Sequence, residues 1–113
     1  MKKFLLISVL VLSGCSILFP IPHDPVMFDS IVSTKIAVEN LKCDNKDWTD
    51  AQQKIHQLKV YTQLRKDPQA ESVAQLEEAI GKAKDTKNPI FCESILKINK
   101  TRVDVIIDAW KGR

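Results

Sequence analysis

The chain has 113 residues, with 17 Lys and Arg against 14 Asp and Glu, a formal net charge of +3, and only 6% aromatic residues. Lys2 and Lys3 precede every acid, so beyond residue 14 the balance is 15 basic to 14 acidic side chains, mixed along every segment. That mixing leaves no basic stripe for a nucleic acid, and about 100 residues past the start allow one small domain at most.

Met1-Lys2-Lys3 is followed by an apolar run from Phe4 to Leu12 interrupted only by Ser8, then by Ser13, Gly14 and Cys15. A charged start, a short apolar run and small residues in that order read as a secretion signal. A permanent span needs about 20 apolar residues, so the run is too short to stay in a bilayer. Leu12-Ser13-Gly14-Cys15 resembles the lipobox of bacterial lipoproteins. The resemblance implies that residues 1–14 are a signal peptide removed on export and that the Cys15 thiol carries a diacylglyceryl group. Each acyl methylene buried contributes about 0.8 kcal/mol, so several chains on one cysteine hold the protein to the membrane. By analogy with enterobacterial lipoproteins, Ser16 in place of Asp implies the periplasmic face of the outer membrane.

Residues 15–25 contain Ile17-Leu18-Phe19 and prolines 20, 22 and 25, which suits a short semi-rigid tether. From Pro25 onward, strand signals are nearly absent, and residues 26–113 read as a helical domain. A first helix is predicted over about Val26–Lys42 and a second over about Lys46–Lys66, with Asp44 as N-cap and Asp47 in its first turn. Asp67-Pro68 stops the second helix. A third spans about Ser72–Lys84, with Ser72 and Gln75 at capping-box spacing, and Asn88-Pro89 separates it from a fourth over about Ile90–Lys111, with Gly112 after it. Four helices on short loops predict an all-α, up-down four-helix bundle.

With Cys15 committed to lipid, Cys43 and Cys92 are left in an oxidising compartment and are expected to pair. In an up-down arrangement the end of the first helix and the start of the fourth lie together, so the bridge needs no contortion.

At about 100° per residue, the third helix gathers Val73, Leu76, Ile80 and Ala83 into one stripe. The second helix aligns Trp48, Ala51, Ile55, Leu58 and Thr62, while Val60 and Leu64 project to nearly the opposite side. The fourth carries two stripes: Phe91, Ile95, Ile98, Val105 and Ala109 on one, and Cys92, Leu96, Val103, Ile107 and Trp110 on the other, bridged by Ile106. The first helix also has two, Met27, Ile31, Val38 and Leu41 against Phe28, Val32 and Ile36. Central helices packing on two neighbours explain part of this surplus. The remainder predicts a groove for a partner's amphipathic helix, lined by Val60, Leu64, Leu96, Val103 and Ile107.

The chemistry-bearing residues do not converge. His23 falls in the tether beside Asp24, His56 on the polar side of the second helix, and Glu77 and Glu78 point about 100° apart on a charged face. The expectation is a protein that is no enzyme, holds no metal or cofactor, and takes no small-molecule substrate. Asn99-Lys100-Thr101 matches a glycosylation pattern but sits mid-helix, and the three glycines are too dispersed for a phosphate loop.

The order of lipobox, tether, a helix closing in Leu41-Lys42-Cys43, two polar-faced helices, and a last helix opening Phe91-Cys92-Glu93 resembles the secretin pilotins of type II secretion, the PulS and OutS type. The resemblance covers essentially the whole mature chain and matches position by position at Cys15, Cys43 and Cys92. It implies a disulfide-linked helical bundle that binds the disordered C-terminal segment of a secretin and carries it to the outer membrane, where the lipid holds both. A second reading of the same features is a phage- or plasmid-encoded exclusion lipoprotein that modulates the envelope by binding an entry machine. A third is a purely structural envelope lipoprotein.

Overall fold

Asp24 starts the first helix by accepting a hydrogen bond from the Met27 amide at 3.1 Å, and Pro25 follows with its φ already set for helix. The structure, a computed structural model, describes residues 21–113; the predicted signal peptide, Cys15 and the predicted tether up to residue 20 lie outside the described residues. Four helices follow in order: α1 (Pro25–Glu39), α2 (Thr49–Leu64), α3 (Ala70–Asp85) and α4 (Pro89–Lys111). Each packs on its two neighbours, α4 closing back onto α1, and the backbones of the diagonal pairs stand farther apart. The four-helix bundle predicted from periodicity is the fold, with no strand among the described residues.

The core is the set of stripes that the helices turn inward. Met27, Ile31 and Val38 come from α1, Ala51, Ile55 and Leu58 from α2, Val73, Leu76, Ile80 and Ala83 from α3, and Cys92, Leu96, Val103, Ile106 and Trp110 from α4. Fully burying one such aliphatic side chain contributes about 1.5–3 kcal/mol. The polar groups caught inside are satisfied locally. Thr34 donates to the Ser30 carbonyl at 2.8 Å, Thr62 to the Lys59 carbonyl at 2.9 Å, and the Asn99 amide to the Ile95 carbonyl at 2.7 Å. Among the described residues no buried side-chain nitrogen or oxygen lacks a partner.

Helix ends depart from the sequence expectations where side chains compete for the backbone. α1 stops at Glu39, three residues early, because the chain turns there to drive Leu41 into the core and bring Cys43 to α4. α2 begins at Thr49, and Asp44 is not its cap. Residues 42–48 are held out of helix by two side chains. The buried Trp48 indole donates to the Lys42 and Asn45 carbonyls at 3.0 and 3.2 Å. The Lys46 ammonium donates to the carbonyls of Ala83, Lys84 and Thr86 at 3.0, 3.0 and 2.6 Å, where it satisfies the unpaired end of α3 and meets the negative pole of its dipole.

α2 closes in a left-handed turn: Lys66 has φ 51°, Lys66 N–H donates to Gln63 and Asp67 N–H to Thr62. This is the Schellman arrangement, in which glycine is the usual occupant of the position Lys66 holds. α3 starts two residues before Ser72, so the capping box is not used. Asp67 takes that role, its carbonyl accepting from Ala70 and its carboxylate from the Gln69 amide at 2.8 Å. Asn88 caps α4 by accepting from Ile90 and Phe91, and Gly112 has a right-handed backbone that any residue could adopt.

Cys43 and Cys92 are joined, with Cα atoms 6.1 Å apart and a sequence separation of 49. For a loop of about 50 residues, the chain-entropy estimate of the stabilisation is roughly 4 kcal/mol.

Candidate docking surface

The five predicted groove residues do not form one site. Leu96 and Val103, at 2% and 1% exposure, are core residues. Ile107 is half-buried against that core. Val60 and Leu64 are exposed on α2, which stands diagonally opposite α4. The two stripes of α4 are therefore reversed from expectation: the stripe through Cys92 and Trp110 faces inward, while Phe91, Ile98 and Val105 face out. The physical cause lies at both ends of the inner stripe. The disulfide draws Cys92 toward α1, and the Trp110 indole donates to the buried Asp67 carboxylate at 3.1 Å. The signal for this in the sequence is the expected Cys43–Cys92 pairing, which turns the stripe of Cys92, with Leu96 and Val103, inward.

Exposed apolar side chains gather on three outer faces. On α1 the face carries Val32 and Ile36 beside half-buried Phe28; on α4 it carries Phe91, Ile98 and Val105 beside half-buried Ile95. The third, on α2, is the candidate site. Val60 at 39% exposure and Leu64 at 79% stand one helical turn apart, with half-buried Tyr61 next to them. Gln53, His56 and Gln57 frame these residues toward the start of the helix. Every residue here belongs to one convex helix, so the surface is a shallow strip along α2 and not a walled groove.

Side chains from neighbouring helices set the strip's edges. On the α1 side, the Tyr61 hydroxyl donates to Asp24 at 2.8 Å and Arg65 lies 3.5 Å from the same carboxylate. The Met27 amide, ahead of Tyr61 and Arg65, keeps the Asp24 carboxyl below its ordinary value, and Asp24 in turn pushes the Tyr61 hydroxyl up. On the α3 side, Glu77 accepts from Lys59 at 2.6 Å and contacts His56 Nδ1 at 2.8 Å. Burial raises the Glu77 carboxyl, but Lys59 and His56 together outweigh it and hold it below the usual range. These pairs fix the strip between two polar borders.

No family model matches this chain, no curated protein matches it, and no solved structure does. Among the described residues, no group of three or more His, Cys, Asp or Glu is placed to hold a metal ion, and no helix is long and apolar enough to cross a membrane. What the strip offers is apolar contact at its centre and hydrogen bonding at its edges, the chemistry of peptide docking.

Proposed function

We propose that this protein is a lipid-anchored docking module of the pilotin kind, held by Cys15 on the periplasmic face of the outer membrane and binding the C-terminal segment of a secretin to target it there for type II secretion. The observation that carries the reading is the exposure of Val60 and Leu64 on the outer face of α2 of a bundle whose core is already filled by other residues. The lipobox-like Leu12-Ser13-Gly14-Cys15 supports the anchorage. A disordered segment that folds as an amphipathic helix would lay apolar side chains at helical spacing on Val60, Tyr61 and Leu64. Two or three anchors at about 1.5–3 kcal/mol each supply roughly 3–9 kcal/mol before the cost of ordering the segment, which makes the complex weak and readily reversible. Such a complex is loose enough to release its cargo into an assembling multimer.

The test is an NMR titration of the helical domain with a peptide from the secretin's C-terminus. Amide shifts concentrated in α2, lost in Val60→Glu and Leu64→Glu while the melting temperature hardly moves, are expected. Shifts absent from α2, or unchanged secretin multimers in the outer membrane of a strain lacking the gene, would overturn the proposal.

A further inference from the structure

The geometry points to the end of the bundle from which the tether leaves as a surface that rests on the headgroups of the membrane holding the protein. The inference rests on the lipid anchorage proposed above. Six residue steps separate Cys15 from Ile21, and no chain of that length reaches beyond roughly 20 Å. An acylated Cys15 therefore keeps this end beside the bilayer.

The side chains gathered there suit that neighbour. Asp24 binds Tyr61 and lies beside Arg65, and Asp67 binds Trp110 and Arg113, so the starts of α1 and α3 share this end with the finishes of α2 and α4. Ile21, Val26 and Leu64 are exposed here, the last two at 64% and 79%. Arg65, Lys66 and Lys111 stand out among them as exposed cations. The acids at the centre are turned inward: the Asp24 and Asp67 side chains are 11% and 3% exposed, each against an arginine. Asp108 is matched to Lys111, and Asp29 and Glu71 are the remaining exposed acids near this end. The far end, around the disulfide, exposes Asp44, Asp47, Asp85 and Glu93 beside Lys42 and Lys87, with Ile90 and Phe91 at the start of α4, so it is the reach of the tether that selects which end meets the membrane.

Apolar tips with lysine and arginine between them are the composition of a headgroup-contacting surface. The Ile21 and Val26 tips enter the acyl boundary, Leu64 stays at headgroup level where a docked segment covers it, and the cations meet phosphate. Seated this way, the bundle stands on the membrane with α2 upright. The docking strip then begins at the lipid surface, at Leu64, and runs away from it toward Thr49, so a captured segment is held with one end against the bilayer.

Site-directed spin labelling tests this on the full mature protein, purified from a bacterial host and placed in vesicles of phosphatidylethanolamine and phosphatidylglycerol. Nitroxides are attached at Val26→Cys, Leu64→Cys and, as a mid-bundle reference, Ile98→Cys, all exposed positions. Labels at 26 and 64 are expected to collide with oxygen in preference to a nickel chelate several-fold more than the label at 98. An acylated protein whose three labels behave alike overturns the membrane seat and leaves the anchorage standing. A protein whose mass carries no acyl group overturns both. Charge reversal at Lys66 and Lys111 to Glu should lower the oxygen preference at 64; no change would show that headgroup attraction plays no part in the seating.

Discussion

Replacing Asp67 by Ala should be the most damaging single polar substitution in this bundle. Its carboxylate is buried and accepts from the Trp110 indole at 3.1 Å, the Gln69 amide at 2.8 Å and the Arg113 guanidinium, whose Nη2 lies 3.2 Å away. Each hydrogen bond to a charged group contributes about 1.5–3 kcal/mol, and stripping one partner from a buried pair costs about 3–5 kcal/mol. Arg113 is near the surface, with an 11% exposed side chain, and can turn toward water, which discounts its share. The indole N–H and the Gln69 amide cannot follow it. A net loss of about 3 kcal/mol is expected from urea denaturation of the oxidised domain. Trp110→Phe should cost less than Asp67→Ala, about 1–2 kcal/mol, because Asp67 keeps its other partners. The double variant should lose less than the sum of the two singles, by about 1 kcal/mol. Strict additivity, or a loss below about 1 kcal/mol for Asp67→Ala, would refute the account of this node.

Three further outcomes are expected. Burial pushes the Asp67 carboxyl up, but Arg113, the Gln69 amide and Trp110 together hold it below its ordinary value; a carboxyl lowered on folding stabilises above the unfolded value of about 4 and loses that contribution as the pH falls further, so Asp67→Asn should flatten the acid limb of a stability-versus-pH curve. Lys66→Gly, at φ 51°, should raise stability by about 0.5–1 kcal/mol in the same denaturation assay, since glycine meets no penalty in the left-handed turn. Reduction of the Cys43–Cys92 bridge, or the paired change to Ala, should cost up to about 4 kcal/mol, seen as a lower melting temperature, and an unchanged one would mean the bridge adds nothing the packing does not.

Periodicity located the helices because burial in a bundle of this size depends on one face per helix, and the stripes of α2 and α3 are the core faces as read. The disulfide was legible because its two cysteines sit at the same end of an up-down layout. Residues 42–48 were not, since a helical pattern does not reveal that Lys46 will reach across to three carbonyls at the end of α3. The candidate site was read in part: Val60 and Leu64 stand clear of the core because they oppose a single well-defined stripe. Leu96 and Val103 were misplaced because α4 carries apolar residues around more than half its circumference, and a wheel so loaded has no preferred inward direction of its own. Contacts distant in sequence, Trp110 to Asp67 and Cys92 to Cys43, choose it.

The helices touch in a cycle, and three of the four contacts are also joined by consecutive chain, while the fourth, α1 to α4, is joined through sulfur. Residues 43–92, which carry α2 and α3, are thus closed into a covalent ring, with α1 and most of α4 as its two tails. A protease that severs the turn between α2 and α3 opens the ring without parting it, since residues 43 and 92 lie on opposite sides of the cut. Both pieces would travel as one band until a reductant is added, and would keep all four helices in the same particle.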